Sequence, residues 1–210
     1  MIIAHLAMTA LLAASPFAAH PMTTCIWDSV PLADKSAFVE AYHAATDGSG
    51  MSNYRFTGDF LQARDQILMN AVSVCAKDAT VPKFWAQNYV TSLFMAAGSS
   101  SELARLHNIK LETLEYIWSH APQASFDCLK AHAGFPLRIT SENCTNPAPL
   151  HPLLKSAGID LSDKVSVQQA YIYFNARAGT GWGEYLVERY LAEKASGTLP
   201  PSATQPNTPH

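Results

Sequence analysis

The sequence predicts an all-α protein, a single compact domain of several helices joined by short loops and stapled by two disulfides. Apolar residues recur with a helical period along most of the 210-residue chain, and no stretch shows strand-like alternation bounded by hairpin turns. Hydrophobic residues make up 48% of the chain and charged residues 15%, a composition typical of a globular domain with its own core. Four cysteines, an even number, favour disulfide bonds.

The N-terminal segment is typical of a secretory signal peptide. Residues 2–14 are mostly apolar, and Ser15, Pro16 and two small alanines follow them, which predicts a signal over residues 1–19 with cleavage near Ala19. The usual Lys or Arg before the apolar run is missing. The alternatives are an uncleaved anchor, although the run is shorter than the ~20 residues that span a bilayer, and a lipoprotein modified at Cys25. We expect a periplasmic or secreted protein without a stable membrane span after cleavage.

All the cysteines follow the predicted cleavage site, and an exported chain favours their oxidation. They lack the close Cys-x-x-Cys pairs of a four-cysteine metal site. Three pairings are possible, and we favour the one whose second bond closes the shorter, Gly- and Pro-containing loop. The predicted disulfides are Cys25–Cys75 and Cys128–Cys144.

Periodic apolar positions predict the helices in the first half of the chain. Segments 32–46 and 59–77 each place their apolar residues on one side, with Asp59 as the N-cap of the second. Segment 82–97 is apolar on every side, as expected of a central, buried helix that stops before Gly98.

Shorter elements follow the central helix. Ser99 and Glu102 have the spacing of a capping box, which predicts a new helix start. Short helices are expected over 110–119 and 123–132, and the proline-rich segment 134–152 is expected to be irregular. The mature α-helical domain is predicted to cover residues 20–194, followed by a disordered tail over 195–210 that has no apolar stripe.

The glycine-rich stretch "AGTGWG", residues 178–183, could be a ligand loop or a joint between helices. A dinucleotide fingerprint would need glycine at position 184, where the chain has Glu184. The preceding segment has a helical apolar period, so a strand-to-loop context is absent. We interpret the stretch as a hinge between two helices, with Gly179 as a left-handed C-cap and Trp182 packed inward.

Arg64 is the first candidate binding residue because it projects into an apolar stripe. A buried guanidinium is costly unless it is paired. We therefore expect a carboxylate partner, with Asp127 or Glu40 as first choices, or a pocket that admits an anion. The side chain could also extend past its neighbours to water.

Polar Asn88 and Ser92 interrupt one side of the central helix. They either satisfy nearby backbone groups, which we favour, or line a polar pocket. A carrier with an aromatic pocket is a further hypothesis. Its predicted lining is Trp85, Trp182, Tyr171 and Tyr173.

Motifs for chemistry are few. One Glu40-x-x-His43 motif is too little for a helical di-metal site, and there is no G-x-S-x-G nucleophile elbow. The glutamate pairs Glu112/Glu115 and Glu184/Glu188 have the spacing of solvated helix faces. No catalytic residue, metal or cofactor is predicted, and a net charge of −3 without a basic patch argues against nucleic acid.

The sequence thus favours a non-catalytic binding or structural module, exported from the cell, whose partner is a small molecule or a protein. Its candidate binding residues are Arg64, Trp182 and Asn88. The alternatives are a carboxylate-dependent cell-envelope glycoside hydrolase and the aromatic-lined small-molecule carrier.

Overall fold

A computed structural model describes residues 20–46, 51–132 and 150–198. Within these ranges all regular secondary structure is helical, which confirms the predicted fold class. The predicted signal peptide, Cys144 and residues 199–210 of the predicted tail lie outside the described residues.

The described helices are α1 (Pro21–Ser29), α2 (Leu32–Ala45), α3 (Met51–Gln62), α4 (Asp65–Ala76), α5 (Lys83–His107), α6 (Leu111–His120), α7 (Gln123–His132), α8 (His151–Ser156) and α9 (Lys164–Ala195). The predicted helices 32–46, 110–119 and 123–132 are confirmed as α2, α6 and α7 to within one residue at each end. Helix α8 begins at His151, inside the segment 134–152 that was predicted to be irregular, and extends beyond that segment to Ser156.

Helices α5 and α9 are the two longest and form the most extensive helix pair. Side chains from both, together with α1 and α2, fill one hydrophobic core. Its largest fully buried aromatic side chains are Trp27, Phe38, Tyr42, Tyr89, Phe94, Tyr173 and Phe174. None of the described helices combines the length and apolar character that a bilayer crossing requires.

The predicted glycine hinge is wrong, because α9 runs without interruption through the whole stretch. Its glycines serve close packing instead of a turn. A Cβ added at Gly179 would lie 2.5 Å from the Ser92 hydroxyl oxygen, and one at Gly183 would lie 2.7 Å from the Tyr89 Cβ. The absence of a side chain lets α9 approach α5 closely, and this contact holds the glycines in helical conformation.

The predicted end of the central helix before Gly98 is also wrong. Helix α5 continues to His107. Gly98 lies inside this helix, where its lack of a side chain leaves room for the ring of Tyr42 from α2. Ser99 and Glu102 therefore form no capping box. Both are buried, and the Ser99 hydroxyl donates to the Met95 carbonyl at 2.7 Å.

Segment 59–77 is divided by a turn at residues 63 and 64, so Asp59 lies inside α3 and does not cap a helix. The predicted Cys25–Cys75 disulfide is present and joins α1 to α4. The structure describes this one disulfide where two were predicted. The second, Cys128–Cys144, stays a prediction because Cys144 is outside the described residues.

Candidate functional site

A cavity of about 570 Å³ opens between α3, α5 and α9. Its volume is within the range of ~300–1,000 Å³ usual for small-molecule sites. Helix α5 provides four lining residues, α9 provides four and α3 provides one. They are Tyr54, Asn88, Thr91, Ser92, Met95, Asn175, Ala176, Gly179 and Trp182.

The helical period explains why these residues meet. On α5, the spacing from Asn88 to Ser92 and Met95 places them on one face, one turn after another. On α9, Asn175, Gly179 and Trp182 follow the same four- and three-residue steps. The two faces oppose each other across the cavity.

Four polar side chains of the lining retain their hydrogen-bonding capacity. Among the described residues, none of the four donates or accepts a side-chain hydrogen bond within the protein; they are Asn88, Thr91, Ser92 and Asn175. Other hydroxyls in these helices bond back to their own backbone. The Thr180 hydroxyl donates to the Ala176 carbonyl at 2.9 Å, for example. The cavity side chains can therefore bind water or a ligand.

Two aromatic side chains, Tyr54 and Trp182, also line the cavity. The Trp182 ring stacks on Tyr185 with centroids 5.1 Å apart. Tyr54 is 48% exposed, yet desolvation raises the pKa of its hydroxyl. The phenol is therefore neutral at physiological pH and can donate a hydrogen bond.

The cavity is uncharged. No Asp, Glu, Lys, Arg or His occurs among its described lining residues. The nearest polar atoms are amides and hydroxyls, which bind by hydrogen bonds and offer no counter-charge to an ion.

Two of the three sequence-predicted binding residues, Asn88 and Trp182, lie together in this cavity. Asn88 and Ser92 line the cavity, which was the less favoured interpretation, and neither side chain forms a hydrogen bond to a backbone group among the described residues. Sequence reasoning missed Thr91 and Asn175, although their helical spacing to Asn88 and Trp182 was a usable signal.

The predicted aromatic lining is not brought together. Trp85 packs edge-on against Tyr190, with ring centroids 6.1 Å apart. The Tyr173 hydroxyl donates to Glu115 at 2.5 Å, and Tyr171 lies beside the ring of His151. Of the four aromatic residues of the carrier hypothesis, only Trp182 lines the described cavity.

Arg64, the third predicted binding residue, is ion-paired. Its Nε lies 2.7 Å from Asp34 Oδ1, and its guanidinium covers the Phe60 ring at 3.6 Å. The partner is thus Asp34, and the first choices, Asp127 and Glu40, were wrong. The side chain is 27% exposed and is not among the residues that line the cavity. Anion binding by Arg64 stays a prediction.

Glu184 was predicted to lie on a solvated helix face. This prediction is wrong, because its side chain is only 13% exposed. Its carboxylate accepts hydrogen bonds from Thr23 and, at 3.3 Å, from the Tyr89 hydroxyl. His20 lies between the glutamates, with Nε2 2.9 Å from Glu188 Oε1. Burial, followed by the charge of Glu184, raises the pKa of the Tyr89 hydroxyl, so that group stays protonated.

The Glu40-x-x-His43 motif does not assemble a metal site. Glu40 is exposed, whereas His43 Nε2 lies 3.1 Å from the Ser101 hydroxyl and 3.6 Å from the buried carboxylate of Glu102. Burial lowers the pKa of His43. Within the described part of the chain, no three metal-ligating side chains are grouped to hold an ion.

Comparisons with models of protein families, with curated protein sequences and with solved structures each find no match to this chain. The geometry and chemistry of the cavity are therefore the basis for assigning a function.

Proposed function

We propose that the protein is an exported, non-catalytic binding protein for a small, uncharged molecule rich in hydroxyl groups, such as a sugar. The observation that carries the proposal is the cavity between α3, α5 and α9. It combines two aromatic side chains, Tyr54 and Trp182, with four polar side chains that have no hydrogen-bond partner among the described residues, and its described lining carries no charge.

The lining matches hydroxyl groups chemically. An Asn amide both donates and accepts, as do the hydroxyls of Thr91 and Ser92, and a ligand hydroxyl needs both kinds of partner. The indole of Trp182 supplies a flat apolar surface on which the C–H face of a sugar ring can pack. A charged ligand would lose hydration without gaining a counter-charge.

Binding is favoured over catalysis because the described lining contains no Asp, Glu, His, Lys or Cys for general acid or base chemistry, and burial raises the pKa of its tyrosine, Tyr54. The glycoside hydrolase hypothesis requires two carboxylates that face one cleft. Glu184 is instead engaged by Thr23, Tyr89 and His20, and neither Glu184 nor Glu188 is among the described lining residues.

Export is the second part of the proposal. Disulfides persist in oxidising compartments, so the Cys25–Cys75 bond supports it. We expect removal of residues 1–19 and a second disulfide, Cys128–Cys144. Mass spectrometry of the expressed, fractionated protein should find an N-terminus near His20 and a mass four hydrogens below that of the reduced chain. Four free thiols would contradict this part.

Titration calorimetry tests the cavity directly. The probes are methyl β-glucoside, methyl β-galactoside and N-acetylglucosamine, with glucuronate as the charged counterpart of similar size. We expect at least one uncharged probe to bind and glucuronate to bind at least tenfold more weakly. If none of the three uncharged sugars binds, or if glucuronate binds best, the proposal is wrong.

Matched variants locate the binding. Asn88→Ala and Asn175→Ala should each weaken the affinity about five- to tenfold, the equivalent of ~1–1.4 kcal/mol for a lost hydrogen bond. Asn70→Ala, an exposed asparagine on α4 outside the cavity lining, is the control and should leave the affinity unchanged. Equal effects of all three substitutions would place the ligand elsewhere.

A further inference from the structure

A second cavity of about 230 Å³ lies between α3, α4 and α5. Its floor is aliphatic and deeply buried, with Leu61, Leu68 and Val90 at 7%, 2% and 1% exposure. Its rim carries two exposed amides, Gln62 and Gln87. As in the first cavity, the described lining carries no charge.

The two cavities are neighbours along the same helices. Thr91 lines both of them. On α3, Tyr54 lines the first cavity and Gly58, one turn later, lines the second. On α5, the adjacent residues Asn88 and Gln87 are divided between them in the same way. Thr91 is thus the side chain at which the two cavities meet.

Gly58 is exposed and lines the second cavity. A Cβ built at this glycine meets no atom within 4 Å, in contrast to Gly98, Gly179 and Gly183. A side chain can therefore be added at position 58, at the edge of the cavity, without a clash at its Cβ.

We infer that the natural ligand is amphiphilic, with an uncharged, hydroxyl-rich head in the larger cavity and a short aliphatic tail that passes Thr91 into the smaller one. This rests on the proposed function, since it extends the same site. The polar first cavity suits the head, and the Leu61, Leu68 and Val90 floor suits the tail by apolar burial.

The size of the second cavity limits the tail. Its volume of about 230 Å³ corresponds to roughly eight groups the size of a water molecule, at ~30 Å³ each. A short chain of about six carbons fits, whereas a membrane-lipid acyl chain is too long. The ligand is therefore a small amphiphile and not a phospholipid.

A homologous series of alkyl β-glucosides tests the inference by calorimetry on the full chain, below micelle-forming concentrations. The head stays constant while the tail grows from methyl through butyl and hexyl to octyl. From methyl to hexyl the affinity should rise up to about fourfold per methylene, the factor equivalent to ~0.8 kcal/mol per buried CH₂. Beyond hexyl it should level off, because the cavity is filled.

Gly58→Leu adds a large apolar side chain at the edge of the second cavity to obstruct it, and Gly58→Ala controls for the loss of a helical glycine. Gly58→Leu should abolish the dependence on chain length while leaving methyl β-glucoside affinity within twofold. Trp182→Phe should weaken every member of the series by a similar factor, with the chain-length dependence intact.

The outcomes separate the two proposals. If methyl glucoside binds and longer tails add nothing, the amphiphile inference is overturned while the head site stands. A chain-length dependence that persists in Gly58→Leu also overturns it, since the tail then lies elsewhere. If no member of the series binds, both proposals are overturned for this head group.

Discussion

Along the α5–α9 interface, two levels one helical turn apart differ in how much space lies between the helices. At the closed level, Gly183 lies against Tyr89, and a Cβ at Gly183 would be 3.0 Å from the Tyr89 Cα. At the open level, Gly179 lies against the small side chain of Ser92, and the space beside them is the cavity. The pairing order shows that the helices are antiparallel. The size of the α5 residue opposite each glycine thus decides whether the level is core or cavity.

Polar groups differ in a similar way between the cavity and a buried network near the start of α9. In that network, the Tyr42 hydroxyl donates to Gln169 at 2.9 Å, and the Gln169 amide donates to Asn53 at 3.1 Å. At the open level, Asn88 and Asn175 have no such partners among the described residues. Satisfied networks serve stability, whereas unsatisfied polar groups at a surface cavity serve binding. Variants should therefore separate stability from affinity.

The largest effect on stability is expected where α1 packs over the closed level. Helix α1 contributes Thr23, whose hydroxyl is 2.6 Å from that of Tyr89, and the Cys25–Cys75 disulfide holds α1 to α4. The bond closes a loop of sequence separation 50. Replacing both cysteines with alanine should lower the free energy of unfolding by about 4 kcal/mol, measured by urea denaturation. Sugar affinity should change little at temperatures where the variant is folded. Parallel loss of affinity would show that the two levels are not independent.

Gly183→Ala should have the next largest effect on stability. The added methyl meets the Tyr89 backbone, which cannot move without displacing α5, so a cost of about 3 kcal/mol is expected. Thermal unfolding followed by circular dichroism measures the change. A neutral result would contradict the close approach of α9 to α5 at this level.

Gln169→Leu should cost about 2 kcal/mol, because it leaves the Tyr42 hydroxyl and the Asn53 amide oxygen buried without partners. The matched substitution at the open level, Asn175→Ala, should change the unfolding free energy by less than ~0.5 kcal/mol. Urea denaturation of both variants compares the buried network with the cavity directly. Similar costs would remove the distinction between structural and binding polar groups.

Gly58→Ala should stabilise the protein by about 0.5–1 kcal/mol. The position is in the interior of α3, its Cβ meets nothing, and alanine is the better helix former. The expected change in stability is opposite in sign to that of Gly183→Ala. Thermal denaturation of both variants tests the two signs together. Destabilisation would mean that the space beside Gly58 is filled.

The smallest expected effect is on pH dependence. Burial lowers the pKa of His43 below its ordinary value of 6.5, so the folded state binds this proton less readily than the unfolded chain. The neutral, buried His43 therefore stabilises the folded state fully above about pH 6.5, and this stabilisation is lost as the pH falls below that value. His43→Gln should flatten this part of the stability profile, measured by denaturation between pH 5 and 8. Sugar affinity should be constant there, because the described cavity lining carries no group that titrates in this range. A steep pH dependence of affinity would contradict the cavity as the site.

Part of the candidate site could be predicted from the sequence. Asn88 was conspicuous as a polar residue in an apolar helix, and Trp182 as an aromatic residue beside glycines. Their meeting could not be predicted, because it depends on the antiparallel alignment of α5 and α9. The same alignment explains why the hinge at Gly179 was wrong, since glycine is read locally as a turn signal but also permits close helix packing.

The sequence by itself determined the helical class and the positions of α2, α6 and α7, because a helical apolar period acts through local geometry. It also favoured the Cys25–Cys75 bond among three possible pairings. Tertiary structure decided which polar residues are satisfied. Glu184 became buried against α1, Arg64 found Asp34, and the polar face of α5 was left open. The physical reason is that burial and hydrogen-bond partners depend on residues far apart in the chain, which no local pattern specifies.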